Sequence, residues 1–261
     1  MVPKIGVNNL GASGGLIRWN QRVPTYDYAV FLMRKTPPLV YPPTMAGASG
    51  RKQRAKPAGH PLRAEVVAHH QRQRILAGAK EAIAQRGYRQ VAVADIVKSA
   101  AIARRFFYQH FASKEDCFFA LYDQAADAAL AAVSEACNSA GGDFPQLVTA
   151  GITVLIEQIE SDRALARACV IEGPAVGQAI NPRFEKLIGD FAALLRSGRD
   201  GVGASELPET VEETVVGGLY WLLYYALLEE RPKRLARLRP QLVEFSLIPF
   251  VGAEAAQLAA G

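Results

Sequence analysis

Cysteine is scarce in this sequence, and histidine is missing from most of it. The three cysteines, Cys117, Cys137 and Cys169, stand far apart with no C-x-x-C among them. That excludes a disulfide scaffold and a thiolate zinc site, and it fits a reducing compartment. All four histidines (His60, His69, His70, His110) precede residue 111, so the rest of the chain has none for acid–base or metal work. His69 and His70 are adjacent, and adjacent residues on a helix do not share a face. Neither a metal nor a cofactor is expected. Long apolar runs are also missing. The longest, Val215 to Leu228, has 14 residues against roughly 20 for a membrane span. No charged-then-apolar leader with a small-residue cleavage site stands at the start, so the cytoplasm is the expected compartment and no membrane partner is expected. There is no G-x-G-x-x-G or Walker loop. Gly11-Ala12-Ser13-Gly14-Gly15 fits G-x-S-x-G but lacks the strand and helix that a nucleophile elbow needs on either side. An enzyme is not expected.

Alanine, by contrast, is abundant: 43 of 261 residues. It is the best helix former, so the composition favours an all-α protein. Charge is unevenly spread. Residues 1–115 hold 19 Lys/Arg against 5 Asp/Glu, a local +14, and residues 116–261 carry a local −9. A basic front suits a polyanion.

Proline divides the chain. Eight of 15 lie in residues 1–61, and the next 83 residues have none. Residues 1–61 show no sustained period and contain Pro37-Pro38, Pro42-Pro43 and the basic run Arg51, Lys52, Arg54, Lys56. They read as a disordered extension, with Met45 as an alternative start. The basic run is either a nucleic-acid arm or a solvated tail. From residue 62 the pattern is helical. Leu76, Ala79 and Ile83 form one stripe, and Gly87 offers a stop. Short helices follow at about 93–100 and 102–110. Ser113-Lys114-Glu115-Asp116 resembles a capping box that opens a helix to about Asn138. Further helices are expected near 144–160, 163–172, 177–198, 209–230 and 233–256. No segment alternates in strand fashion, and no repeat is present.

The stretch from Ile75 to Tyr122 carries the chemistry. Two short helices meet at Ala100-Ala101-Ile102-Ala103, where a helix–turn–helix would turn. At 100° per residue, with Phe107 inward, Ala103 and Phe111 share its face, and Arg105 and Gln109 point the opposite way. Phe106 and Tyr108 flank that outer face, with Arg104 and His110 at its edges. Guanidinium, amide and phenol groups on one face suit a major groove, where Arg reads guanine and Gln reads adenine. An ordinary amphipathic helix with solvated charges would show the same periodicity.

These residues resemble the tetracycline-repressor (TetR) family of regulators. The resemblance runs through Gln71-Arg72-Gln73-Arg74-Ile75-Leu76, Arg86-Gly87-Tyr88, Val93-Ala94-Asp95-Ile96-Val97, Arg104-Arg105, Phe107-Tyr108, His110-Phe111 and Ser113-Lys114-Glu115-Asp116-Cys117-Phe118. It implies an all-α homodimer: a three-helix DNA-binding head at 62–112 and a larger helical ligand-binding and dimerisation body at 113–256. The DNA-contacting residues it implies are Arg104, Arg105, Phe106, Tyr108, Gln109, His110 and Lys114. Lys114, at a helix N-terminus, would hold a phosphate. The chain departs from the family pattern at Ala92, Ala101, Ala103 and Phe106, where the family often has Thr, Gly, Ser and Thr. Family bodies often enclose an apolar pocket. Here Cys169, Glu172, Phe184, Phe191, Trp221 and Tyr225 are candidates to line it, or else core and dimer contacts. Dimerisation is expected through the helices near 209–230 and 233–256, with Val215, Val216, Leu219, Leu222, Leu223 and Ala226 in the seam and Gly217-Gly218 permitting close approach. The expected function is a ligand-responsive repressor that binds double-stranded DNA at a near-palindromic operator and responds to a small apolar molecule. The alternative is a small-molecule-binding dimer whose head has degenerated.

Overall fold

The computed structural model describes residues 61–199, 207–208, 210–229 and 234–261, all within the compact unit Pro57–Gly261. The extension at 1–60, with its basic run and the alternative start at Met45, lies outside the described residues. Every described element is helical, and no strand occurs among them.

The head begins with α1 (Pro61–Arg86), whose buried stripe is Ile75, Leu76, Ala79, Ala82 and Ile83. Gly87 ends it at φ 80°, a conformation that glycine adopts without side-chain penalty. α2 (Val93–Ser99) and α3 (Arg104–His110) follow, buried on Ile96 and Phe107. Asp95 accepts the Ala92 N–H at 2.8 Å and pairs with Arg86, which caps α2 without a hydroxyl. α4 (Lys114–Ala140) opens at Ser113, whose hydroxyl accepts the Asp116 N–H at 3.0 Å. The expected cap is present in altered form, because the Asp116 carboxylate takes the N–H of Ala112, one residue before the cap.

α5 (Phe144–Ser161) has a reciprocal capping box between Asp143 and Gln146. It lies antiparallel to α4, and Gly151 makes the approach close: a Cβ there would sit 3.1 Å from Val133 and 3.3 Å from the Cys137 sulfur. The segment expected as one helix at 163–172 is a single α turn, α6 (Arg163–Ala166), continued by a π turn at Arg167–Ile171. The helix expected from 177 begins at 181, after two 3₁₀ turns and Gly177 at φ 92°, and is α7 (Asn181–Gly198). α8 (Val211–Leu228) and α9 (Arg234–Val251) follow. The helix expected over 233–256 is broken at Gly252, φ 81°, which separates α10 (Ala253–Ala260).

The head's core does not stop at residue 112. Ile75, Ile83, Tyr88, Ile96 and Phe107 pack with Cys117, Phe118 and Tyr122 of α4, and with Ala168, Cys169 and Ile180 of the body. A second core joins α5, α8, α9 and α10.

Candidate nucleic-acid interface and ligand cavity

α3 is fixed from within by Phe107, fully buried and packed at a tilt against Phe111 with ring centres 5.8 Å apart. That burial turns Arg104, Arg105, Tyr108 and Gln109 to solvent, with Phe106 and His110 partly covered. Tyr108 is 49% exposed, and its hydroxyl accepts from Arg104 at 3.2 Å. The Arg105 guanidinium lies over the Phe106 ring at 4.8 Å. His110 leans back towards α1, its Nε2 3.4 Å from Gln71 Oε1. Ala103 is exposed rather than inward, because it caps α3 from outside the helix.

Lys114 points elsewhere. Its ammonium donates to the carbonyls of Tyr88 and Val91, each at 2.8 Å, and lies 4.1 Å from the centre of the Tyr88 ring. Burial lowers its pKa from the ordinary lysine value. Two of its three donors are thus committed inside the head, and its geometry is that of a clamp on the 88–91 turn.

The turn before α3 has a clamp too. Ala101 sits at φ 50°, a left-handed conformation that costs an L-residue about 1–2 kcal/mol. Arg74 donates to the carbonyls of Ala100 and Ala101 at 2.9 and 2.8 Å. Gly78 lets α1 reach this turn, since a Cβ there would lie 2.6 Å from the Ala100 nitrogen.

The body holds a partly open cavity of about 600 Å³ between α4, α5, α7 and α8. Two of the six expected lining residues, Cys169 and Phe191, are in its wall. The other four are not among the lining residues. Glu172 lies at the head–body junction, where its carboxylate accepts the Tyr88 N–H at 2.8 Å. Phe184 packs edge-on against Tyr220 at 4.7 Å. Trp221 is 41% exposed and meets Tyr225 at 4.7 Å. The helical period explains the error: the cavity-facing stripe of α8 is Val216, Leu219, Tyr220 and Leu223, and Trp221 and Tyr225 fall roughly opposite it at 100° per residue. The wall of α4 is Ala125, Ala126, Ala129 and Val133. Alanines at helical spacing are too short to fill the gap between helices, and they were the available signal.

The same period corrects the dimer seam. Val215, Val216, Leu223 and Ala226 are buried in the protomer's own core, and Gly218 admits Phe245 of the same chain, 2.6 Å from where its Cβ would stand. The exposed apolar side chains of α8 and α9 are Trp221, Leu228, Phe245 and Ile248. Burial pushes Cys117 and Cys169 up to about 12 and raises Cys137, which disfavours the reactive thiolate.

Among the described residues, polar links tie head and body besides the shared core, the Gln73–Gln124 pair and the Lys114 clamp among them. Glu172 accepts from Tyr88, Arg167 Nε donates to the Ala84 carbonyl at 3.2 Å, and Lys80 donates to Asp162 at 2.8 Å. Asp162 and Cys169 also line the cavity.

Residues 75–121, which hold this helix–turn–helix, match the family model of the bacterial regulatory proteins of the tetR family. Over these residues the head is similar to that family. The HTH-type transcriptional regulator EthR of Mycobacterium tuberculosis is 33% identical over 144 residues, 51% of this chain. The chain spans 64% of the length of EthR. Among solved structures, the fatty acid degradation regulator FadR of Bacillus halodurans superposes with a TM-score of 0.62 at 19% identity, over 70% of this chain and 95% of that one. FadR of Bacillus subtilis, solved in complex with stearoyl-CoA, gives 0.60 at 18% identity, over 69% and 98%. At those identities the likeness is one of fold: a helix–turn–helix head followed by a helical body of the same architecture. No helix among the described residues is long and apolar enough to cross a membrane.

Proposed function

We propose that this chain is a ligand-responsive, DNA-binding transcriptional regulator that acts in the cytoplasm as a homodimeric repressor on a near-palindromic operator. The observation that carries the reading is the outward face of α3: Arg104, Arg105, Tyr108 and Gln109 are presented together because Phe107 is buried behind them. A dimer places two such helices in successive major grooves, about 34–36 Å apart. The exposed Trp221, Leu228, Phe245 and Ile248 on α8 and α9 supply a surface for the second copy. A small apolar ligand in the body cavity presses on Cys169 and Asp162, which also meet the head, and a coupling of about 1–3 kcal/mol changes occupancy of the operator severalfold or more.

A second reading has its own support. Ala103 caps α3 with no side-chain hydrogen bond, and Ala101 holds a strained turn, so the head has lost groups that stabilise this motif elsewhere. In that reading the protein dimerises and holds a small molecule without specific DNA contact. Mobility shifts against fragments of the source genome separate the two. Saturable binding that survives excess competitor DNA supports the regulator; binding that only smears and vanishes with moderate salt supports the degenerate head.

A further inference from the structure

Adjacent arginines open α3, and their surroundings differ. Arg104 is engaged twice by Tyr108: its guanidinium lies 5.6 Å from the centre of that ring and donates to the phenol oxygen at 3.2 Å. Arg105 makes no hydrogen bond or ion pair among the described residues, and its guanidinium carbon rests 4.8 Å from the centre of the Phe106 ring. A ring beneath a guanidinium holds its plane and leaves the N–H donors, which lie in that plane, free. That fork matches O6 and N7 of guanine in the major groove.

The stack also fixes where the phenyl ring falls. A guanidinium that meets a guanine edge with both arms lies near the plane of that base pair. Successive pairs are about 3.4 Å apart. A ring centred 4.8 Å from the guanidinium carbon therefore stands at the level of the next pair. Phe106 flanks the outward face of α3 and is partly covered rather than buried, so part of its ring is open to the groove. The ring has neither donor nor acceptor. Set against the amino group of cytosine or adenine, or O6 of guanine, it would strip water from that group and return no hydrogen bond. The apolar group that base pairs offer in the major groove is the C5-methyl of thymine. The threonine common at this position in the family pattern has no ring to carry a guanidinium, so the arrangement follows from the chain's departure at Phe106.

We infer that Arg105 and Phe106 act as one reading unit: Arg105 takes a guanine, and Phe106 takes the methyl of a thymine in the adjoining base pair. Phe106 is thereby a specificity-determining residue as well as the support for Arg105. The inference rests on the proposed reading as a DNA-binding regulator and adds part of the half-site's sequence.

The test starts with selection of binding sites from random duplex DNA by the full chain, repeated with Arg105→Ala and with Phe106→Ala. The wild-type site should hold a guanine and a thymine in adjoining pairs. Arg105→Ala should lose the preference for that guanine, and Phe106→Ala the preference for the thymine beside it. Base analogues in the wild-type site then read single groups. Uracil in place of the thymine removes one methyl; it should weaken wild-type binding about fourfold and leave binding by Phe106→Ala nearly unaltered. Deazaguanine in place of the guanine removes N7; it should weaken wild-type binding at least about fivefold and leave Arg105→Ala nearly unaltered. If a variant misfolds, the analogues decide the matter on the wild-type chain. A ring that only supports Arg105 would leave the ratio of thymine to uracil affinity the same in wild type and Phe106→Ala, and that result overturns the assignment. Relaxed positions that do not adjoin, uracil bound as well as thymine, or deazaguanine bound as well as guanine would each overturn it too, with the regulator reading left standing. A wild-type selection that enriches no sequence overturns the regulator reading, and this inference with it.

Discussion

Glu172 of the body accepts a hydrogen bond from the backbone N–H of Tyr88 in the head, across 84 positions of sequence, at 2.8 Å. Gly87 makes the contact possible, because a Cβ there would meet the same carboxylate at 3.2 Å. Glu172→Ala leaves the Tyr88 N–H with solvent alone and should cost about 1–2 kcal/mol of stability, read as a lower urea midpoint with unchanged slope. Glu172→Gln keeps an acceptor oxygen and should recover most of it. Affinity for the cavity ligand should not change in either variant; a loss there would return Glu172 to the ligand site.

The turn of the head can be improved. Ala101→Gly removes a left-handed cost of about 1–2 kcal/mol but adds unfolded-chain entropy, so a net gain of about 0.5 kcal/mol is expected. Ala103→Ser supplies the missing cap and should add about 1 kcal/mol. The double variant should melt several degrees higher than the parent. An unchanged melting temperature would show that the Arg74 clamp already relieves the turn.

The ordered elements of the head were legible because their stripes are local: Ile75, Leu76, Ala79 and Ile83 repeat at helical spacing, and Phe107 with Phe111 fixes which side of α3 faces out. What escaped the sequence was long-range or subtractive. Glu212 is fully buried, held by Arg196 and Arg199, yet nothing near it in sequence marks it as different from Glu213. Lys114 occupies a helix N-terminus suited to phosphate, and its inward course depends on two carbonyls more than twenty positions earlier. The cavity is defined by what alanine and glycine fail to fill, so a search for large aromatic residues found Phe191 and misplaced Trp221, Phe184 and Tyr225.

The Lys80–Asp162 pair gives the head–body junction a pH signature. Burial opposes ionisation of Asp162, but hydrogen bonds from Lys80 and from the Leu165 N–H outweigh it and hold its pKa below the ordinary 3.8. The bond to Asp162 in turn raises Lys80 above its ordinary 10.5. The carboxylate's contribution is therefore complete above pH 3.8 and lost as pH falls through its lower folded value. The lysine's is complete below pH 10.5 and lost as pH rises through its higher folded value. Both groups are partly exposed, so Lys80→Met should cost only about 0.2–1 kcal/mol at neutral pH. The gap to wild type should be flat through the middle range and close at both extremes. A gap that persists at both extremes would mean the loss came from packing of the lysine stem.

Self-association should depend on the exposed apolar side chains of α8 and α9. Ile248, 42% exposed, sits outside the protomer core, so Ile248→Arg should leave the protomer folded while burying an unpaired charge in a dimer seam. Sedimentation should then show monomer. Leu258→Arg, at a site 80% exposed on α10, serves as the control and should sediment like wild type. An unaltered dimer in Ile248→Arg would move the interface off this face.

Positioning and reading should separate on α3 and its neighbour. Lys114 clamps two carbonyls, so Lys114→Ala should lower the stability of the head by about 1–3 kcal/mol and change the salt dependence of DNA binding by much less than one ion. A phosphate contact would do the reverse, making the dependence shallower by about one ion with stability intact. Arg105 faces solvent over the Phe106 ring, and Arg105→Ala should leave the melting temperature unchanged while costing about 1–3 kcal/mol at the preferred site and little elsewhere. Phe106→Thr removes the surface on which that guanidinium rests and restores a hydroxyl. Stronger specific binding in that variant would show a head weakened by its phenyl ring, and lost binding would show that Phe106 holds Arg105 in its reading position. If none of the three substitutions alters binding to any DNA, α3 is not the contact surface and the regulator reading fails with it.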